Sequence, residues 1–413
     1  MAAPVVNHLE LYRLPWSLSD NIINWLEPTK KCNIYCEGCY SQNNPTSHKT
    51  LEQVQNDLNV FMRNRKSHSV SIAGGDPLTH PQVVEIVKMV AKTGMQPIVN
   101  TNGHAMTEEM MRDLKAAGVV GFTFHVDSLQ QRAPEWNGKN EIELLELRLK
   151  YAKMVAKVGG MACSFNATIY DETLKYVPDL VRWATKNAKI VHSMVFIAFR
   201  AAIPDKYVYM NGSNEIPTEK ELVYGEHKGR KITIGADDII EQIRIADPLY
   251  SPAAYLNGTE DPTAKKWTFG VRLVQPGKSF GAVGPKFMEF AQVAYHFFFG
   301  TYMAYTSPFG LARGRVWMAL AWLWDKGMRA ALGRNLLYTL LRPWTLLSPI
   351  RMQGIMIIQP VDTFEDGRQS MCDACPDMTV WDNRLVMSCR LEEQMSYGRY
   401  LQAVPKKEVA SAR

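Results

Sequence analysis

The sequence predicts an α/β protein built on a partial (β/α)6 barrel. Two observations carry this reading. Between residues 21 and 200, short apolar runs alternate with stretches of helical periodicity, and polar, glycine-rich or cysteine-rich segments fall just after the apolar runs. Strands alternating with helices imply parallel pairing through right-handed crossovers. In such folds the chemistry gathers at the C-terminal ends of the strands.

Each element has its own signal. The first strand, 22–26, ends at Pro28 and leads directly into Cys32-Asn33-Ile34-Tyr35-Cys36-Glu37-Gly38-Cys39. Thr50-Leu51-Glu52-Gln53 reads as a capping box, with Leu51, Val54, Leu58 and Phe61 at helical spacing behind it. Strand two, 68–73, is followed by Gly74-Gly75-Asp76-Pro77 and a helix over 82–92. Strand three, 96–101, is closed by Asn102-Gly103, and a helix from Thr107 stops at Gly118. Strand four, 122–126, precedes a long helix over 141–158 that stops at Gly159-Gly160. Strands five and six are 162–168 and 190–199.

Beyond residue 200 the alternation fails. Residues 204–284 are rich in Gly, Pro and charge and read as loops and short elements over the barrel mouth, with one helix near 237–244. Residues 287–350 are crowded with Phe, Trp, Tyr, Met and Leu, interleaved with Arg313, Arg315, Lys326, Arg329, Arg334 and Arg342. The run 290–312 is diluted by polar residues and is not read as a transmembrane helix. Three readings fit: helices capping the barrel, an apolar pocket for a large substrate, or amphipathic helices on a membrane surface. Residues 351–360 form a last apolar strand, and Trp381-Asp382-Asn383-Arg384-Leu385 holds a hairpin turn. The expected organisation is an N-terminal extension (1–20), the barrel (21–200), an insertion with apolar, partly basic helices (201–350), and a C-terminal cysteine-rich domain (351–413).

Composition narrows the class. A chain of 413 residues with 46% hydrophobic and 21% charged residues is ordinary for a globular protein. A net charge of +6 is small for this length and does not suggest nucleic acid. The seven cysteines fall into two groups (Cys32, Cys36, Cys39 and Cys372, Cys375, Cys389) plus Cys163. Such grouping favours metal ligation over a disulfide framework, and a reducing compartment. Residues 1–14 carry no signal-peptide pattern, so the expected location is cytoplasmic, with a peripheral membrane contact as the variant.

Three thiolates on one loop at spacings of four and three can hold three irons of a four-iron cluster, leaving the fourth iron for a non-protein ligand. A zinc loop would need a second pair nearby, and none follows. The stretch resembles the CxxxCxxC signature of the radical S-adenosylmethionine (radical SAM) superfamily. That resemblance implies a [4Fe–4S] cluster on Cys32, Cys36 and Cys39 as the catalytic and metal-binding set. SAM would occupy the open iron, and reductive cleavage would give a 5′-deoxyadenosyl radical. An electron donor such as flavodoxin or ferredoxin is implied with it.

Further residues extend the resemblance. Gly74-Gly75-Asp76-Pro77 is similar to the superfamily's GGEP motif, which receives the SAM amino group, with Asp76 where Glu is usual. Glycine suits a close approach of ligand to backbone, while a tight turn is the plainer alternative. Asn100 and Asn102 after strand three, Asp127 and Ser128 after strand four, and Asn166 on strand five resemble positions lining the SAM ribose, carboxylate and methionine. Strand-end turn chemistry would use the same residue types. An aromatic residue often precedes the third cysteine; here it is Gly38, so Tyr40, or Phe196 and Ile197 on the sixth strand, are the candidates for adenine. His125 and His192 read as hydrogen-bonded core histidines and Cys163 as a small buried hydrophobe. Cys372-Asp373-Ala374-Cys375 and Cys389 resemble the auxiliary cluster of the GTP cyclase of molybdenum cofactor biosynthesis and of SPASM and twitch extensions. A second iron–sulfur cluster is implied, with a zinc site as the alternative.

The expected function is hydrogen abstraction from an unactivated carbon of a large hydrophobic substrate (a lipid, isoprenoid or chlorophyll-type tetrapyrrole), leading to methyl oxidation or carbon–carbon bond formation. A peptide-modifying maturase is the runner-up, and a non-catalytic, metal-binding, membrane-associated protein the alternative of another class.

Overall fold

A computed structural model of the chain describes residues 5–217 and 232–407. A two-residue strand, β1 (Tyr12–Arg13), precedes β2 (Asp20–Leu26), and β3 (Tyr35–Cys36) lies within the cysteine loop. Helix α1 (Leu51–Asn64) starts at the expected capping box: the Thr50 hydroxyl accepts from Gln53 N and the Gln53 side chain accepts from Thr50 N. Then come β4 (Lys66–Ile72), α2 (Val83–Lys92), β5 (Gln96–Thr101), α3 (Glu108–Ala117), β6 (Gly121–His125) and the short β7 (Gln130–Gln131). Next are α4 (Leu145–Val158), β8 (Ala162–Ile169), α5 (Val177–Lys186) and β9 (Ser193–Ala198). Gly118 ends α3 in the left-handed region, at φ 119°, which a residue with a Cβ adopts only under strain.

Strands β2, β4, β5, β6, β8 and β9 pair in parallel in that order, so the six barrel strands stand where the apolar runs place them. Their outward side chains form one core with the helices, including Leu58, Phe61, Val87, Phe122, Phe124, Phe165 and Phe196.

The region read as loops holds more order than expected. It contains β10 (Tyr207–Asn211), β11 (Asn214–Ile216), α6 (Ala236–Ala246), β12 (Ala254–Leu256), the nine-residue β13 (Trp267–Gln275) and β14 (Lys278–Ala282). β13 alternates only loosely and carries buried Arg272, whose guanidinium bonds Thr185, Asp247 and Gln353. A charge at its centre hides this strand from a hydrophobicity reading.

The apolar insertion folds as α7 (Pro285–Phe299), α8 (Pro308–Leu311), α9 (Gly314–Ala321) and α10 (Lys326–Leu341). β15 (Arg351–Ile358) then pairs in parallel with β9 as a seventh barrel strand, and β13 lies antiparallel on its other side. Two short strands, β16 (Asp362–Thr363) and β17 (Gln369–Ser370), precede the β18 (Met378–Trp381) and β19 (Arg384–Met387) hairpin. Its turn residues Asp382 and Asn383 have φ 49° and 58°, as a type I′ turn requires. Helix α11 (Leu391–Tyr397) and β20 (Gln402–Pro405) end the described chain, with β20 pairing β10.

The insertion sits at the end of the barrel opposite to the one a substrate cap would cover. Its contacts are with strand beginnings: His296 with Asp20, Tyr295 and Ala304 N with His68, and Gly314 N with Ile350 O. Tyr305 reaches Gly121 so closely that a Cβ there would lie 2.3 Å from its hydroxyl oxygen. The insertion is a plug at the N-terminal ends of the strands. No helix among the described residues is long and apolar enough to cross a membrane.

Candidate active site

The cysteine loop follows β2 at the C-terminal end of the barrel and is held from four sides. Thr29 and Lys31 accept backbone bonds from Gly75 N (2.9 Å) and Asp76 N (2.8 Å). The β3 segment pairs with β7, setting Cys36 opposite Gln130. The Asn43 side chain bonds both the amide and the carbonyl of Cys32. From the C-terminal region, Glu392 bonds Lys30 and accepts from Gln42 N at 2.7 Å.

Gly74 and Gly75 use their lack of a side chain against the chain itself. A Cβ on Gly74 would lie 2.3 Å from Thr29 O, and one on Gly75 2.3 Å from Lys31 O. Their small size is thus required by contact with the cysteine loop. Asp76 is fully buried and accepts from Leu78 N (2.9 Å), Thr101 Oγ1 (2.8 Å) and Asn102 N (2.8 Å). Its carboxylate ties the turn to the end of β5. Burial pushes its pKa up, while the Thr101 and backbone donors oppose the rise.

Asn102 stands beside the thiols: its Nδ2 is 2.8 Å from Asn33 Oδ1 and 3.6 Å from Cys32 Sγ. Asp127 is buried, bonds His125 Nε2 at 2.9 Å, and accepts from Leu129 N. Burial opposes its ionisation, but the His125 bond and the His125 and Arg132 charges hold its carboxyl below the ordinary value. Ser128 N donates to Glu141, which pairs with the buried Arg148. Asn100 Nδ2 and Asn166 Oδ1 are buried and have no hydrogen-bond partner among the described residues. An unpaired buried donor and acceptor cost free energy unless a ligand meets them.

Of the adenine candidates, the structure turns one away and leaves Ile197, on the other face of β9, and Tyr40. Phe196 belongs to the outer core with the helices, because alternation along β9 turns it away from the barrel interior. Tyr40 is half-buried, and its hydroxyl accepts from Trp25 Nε1 at 3.3 Å. Phe199, at the end of β9, holds the place of a side chain on Gly38: a Cβ there, at φ 67°, would lie 2.4 Å from its ring. Tyr170 packs against Phe199 with centroids 4.8 Å apart and ring planes tilted by 35°, and donates to Glu37 O. Arg132 was also missed. It is buried, donates to Gln130, Asn102 O and His125 O, and sets a positive charge near Cys36. One arginine in a polar loop carries no sequence signal.

His125 is more exposed than a core residue; it bonds Thr168 as well as Asp127. His192 is a core residue, taking Cys163 N on Nδ1 at 3.0 Å; burial pushes its pKa down to about 4. Cys163 is fully buried.

The three loop thiols fit an iron–sulfur cluster. They lie close enough to raise one another's pKa: burial comes first, and neighbouring thiols add to it, taking Cys39 up to about 11. Such thiols stay protonated until a metal displaces the proton. Among the described residues no three His, Cys, Asp or Glu side chains converge as the ligands of one metal ion would. The separated corners of a cluster ask for a wider arrangement.

Cys372, Cys375 and Cys389 also come together, in the seam between β1–β12 and β2. Cys372 bridges to Gly258, and Arg65 holds the Cys375 and Pro376 carbonyls. The Cys375 thiol bonds Cys372, lowering the pKa of Cys372 and raising its own. Burial, with the Cys372 charge adding to it, pushes Cys389 up to about 12.

Comparison with known proteins agrees with this geometry. Residues 26–184 match the profile of the Radical SAM superfamily. A tungsten-containing aldehyde ferredoxin oxidoreductase cofactor-modifying protein of Pyrococcus furiosus is 29% identical over 228 residues, covering 51% of this chain and 61% of that protein. An AdoMet-dependent heme synthase of Methanosarcina barkeri is 29% identical over 109 residues, 26% of this chain and 31% of the other. The chain thus matches less than two thirds of either relative's length. Among solved structures, Streptococcus suis SuiB bound to S-adenosylmethionine is similar at a TM-score of 0.36 and 14% identity, over 45% of this chain and 42% of the other. The superfamily uses a [4Fe–4S] cluster and SAM, and the loop, the glycine turn and the strand ends above are where this chain would hold them. Over residues 26–184, the stretch that builds most of its parallel barrel, this chain matches the radical SAM superfamily.

Proposed function

We propose that this protein is a radical SAM enzyme that docks on a membrane surface and abstracts hydrogen from an unactivated carbon of a large hydrophobic molecule. The observation that carries the reading is the exposed face of the insertion. Eighteen of the twenty-five exposed large apolar side chains among the described residues lie between residues 285 and 350, including Phe297, Phe298, Leu340, Leu341, Trp344 and Leu347. The same stretch has seven basic residues and two acids, and one acid, Asp325, is buried as a helix cap. Apolar surface rimmed with basic charge suits an anionic bilayer interface. Each basic residue near such a surface contributes about 1 kcal/mol.

Cys32, Cys36 and Cys39 would hold a [4Fe–4S] cluster that, with SAM bound, would supply the hydrogen-abstracting radical. The protein's further part is to brace the loop with Asp76, Asn102, Arg132 and Phe199, and to offer Asn100 and Asn166 as hydrogen-bond partners. An electron donor of the flavodoxin or ferredoxin kind would serve the cluster. The C-terminal cysteines would hold a second cluster, and the heme synthase among the relatives supports a tetrapyrrole as readily as a lipid or isoprenoid.

Vesicle co-sedimentation tests the docking. The chain should pellet with anionic vesicles and less with neutral ones, and the combined Phe297→Ser, Phe298→Ser, Leu340→Ser and Leu341→Ser variant should stay in the supernatant. A wild-type chain that never pellets sinks the docking. For the chemistry, Cys32→Ala should abolish 5′-deoxyadenosine formation, whereas Cys372→Ala should spare it more than product formation.

A further inference from the structure

The mouth of the barrel carries a small cavity of about 200 Å³ at the C-terminal ends of β9 and β15, its walls half polar and half apolar. Arg200, Thr233, Gly235, Gln359, Asp362 and Gln369 are among its walls. Its size is decisive: whole drug-sized ligands need roughly 300–1,000 Å³, so this space suits one small group of a larger molecule.

Its charge is uneven. Arg200 Nε bonds Asp362 Oδ1 at 2.8 Å and Lys266 Nζ bonds Asp362 Oδ2 at 2.5 Å, so two cations meet one carboxylate. Among the described residues, Asp238 is engaged in capping Gly235 N and Asp237 pairs with Lys265. The Arg200 side chain is 9% exposed and Lys266 fully buried. Arg200 Nη1 is fixed on the Phe199 and Ile234 carbonyls, while Nη2 bonds no described residue. Thr233 and Gln369 likewise make no side-chain hydrogen bond among the described residues. The eleven-residue α6 is N-capped by Gly235 on the same wall, adding the positive end of its dipole. The position is equally specific. Arg200 directly follows Phe199, whose ring lies on Gly38 of the cysteine loop.

The geometry points to a subsite for an anionic oxygen head group, phosphate or carboxylate, on the substrate. Building on the radical SAM reading above, it makes that substrate an amphiphile: its head is anchored by Arg200 while its apolar body extends towards the cysteine loop. The remaining Nη2 of Arg200 can donate a charge-assisted hydrogen bond to either oxyanion.

Phosphorus NMR line broadening of glycerol phosphate, with the full-length, anaerobically reconstituted chain, tests this. Wild type should broaden the line. Arg200→Gln should weaken binding about tenfold, the scale of one lost charge-assisted hydrogen bond, and Arg200→Lys should restore part of it. Thr233→Glu adds a repelling charge on an exposed wall without touching the Arg200–Asp362 pair, and should abolish binding even if Arg200→Gln proves unstable. Displacement by acetate at equal concentration would assign the site to carboxylates, and resistance to acetate would assign it to phosphates. Absence of broadening by wild type, wild-type binding by Thr233→Glu, or displacement by glycerol would overturn the subsite. None of these results touches vesicle binding or 5′-deoxyadenosine formation, so the subsite can fail alone.

Discussion

Replacing Gly75 by Ala perturbs the candidate site through one contact. Gly75 lies outside the left-handed region, so the added methyl brings no backbone strain. It would instead sit 2.3 Å from Lys31 O and 2.6 Å from the Lys30 carbonyl atoms, where ordinary contact begins at 3.4 Å. The obstacle is backbone and cannot swing aside, so the turn and the cysteine loop must part by about 1 Å. Parting them breaks the bonds from Gly75 N and Asp76 N to the loop. Two hydrogen bonds at about 1 kcal/mol each, with overpacking of about 1–3 kcal/mol, give about 3–5 kcal/mol against the native loop position. Cys32 follows Lys31 and moves with it. Misplacing a reacting group by about 1 Å can cost about a hundredfold in rate. The assay is iron and sulfide per chain after anaerobic reconstitution, followed by 5′-deoxyadenosine formed from SAM under strong reductant. Gly333→Ala is the control: nothing lies within 4 Å of its Cβ and it sits within α10, so it should gain about 1 kcal/mol. A Gly75→Ala protein with wild-type iron, sulfide and SAM cleavage would refute the steric argument.

Three other outcomes are expected. Asp76→Asn sets an amide against donors on Leu78, Thr101 and Asn102; chemical denaturation should show a loss of about 1–3 kcal/mol. Arg148→Met strips the partner from buried Glu141, which also anchors Ser128 N; breaking such a pair costs about 3–5 kcal/mol, and a melting temperature near wild type would contradict it. His192, with its pKa depressed to about 4, is protonated in the unfolded chain before it is in the folded one. Its contribution is therefore complete above about pH 6.5 and lost as pH falls towards 4, by up to about 3 kcal/mol. His192→Asn, which can still accept from Cys163 N, should flatten that acid limb in a series of melting curves.

The parts of this chain legible in its sequence are those fixed by local pattern. The six parallel strands coincide with apolar runs because both faces of such a strand are covered. Thr50 with Gln53, and Asp382 with Asn383, act through contacts a few residues long, and the structure places both where the residues predict. The cysteine loop is legible because the spacing of its thiols is itself the ligand geometry. What was not legible depends on packing between distant segments. Phe199 completes the loop at Gly38 across more than 150 residues, and Arg132 matters only once β7 lies along β3. Nothing near Phe196 says that β9 turns it outward and leaves Phe199 at the mouth. Gly74 and Gly75 are legible as a tight turn or as a close approach to a ligand, but that Thr29 and Lys31 lie where their side chains would be depends on the fold.

The position of the insertion follows from the direction of one strand. β15 runs parallel to β9, so it must enter the sheet at the end where the other parallel strands begin. The segment before it therefore finishes at that end, as Gly314 N on Ile350 O and the Tyr295–His68 bond show. β13 runs the opposite way and finishes there too, with Val274 opposite Arg351. An insertion leaving and re-entering the sheet between these two strands has its ends tied to the barrel's floor. Chemistry in parallel barrels belongs to the other end, where loops can vary without disturbing the strands. If the aromatic and basic face rests on a bilayer, the cysteine loop and the Arg200 cavity turn to the aqueous side. There a soluble electron donor can approach, and a charged head group meets Arg200 without first crossing hydrocarbon.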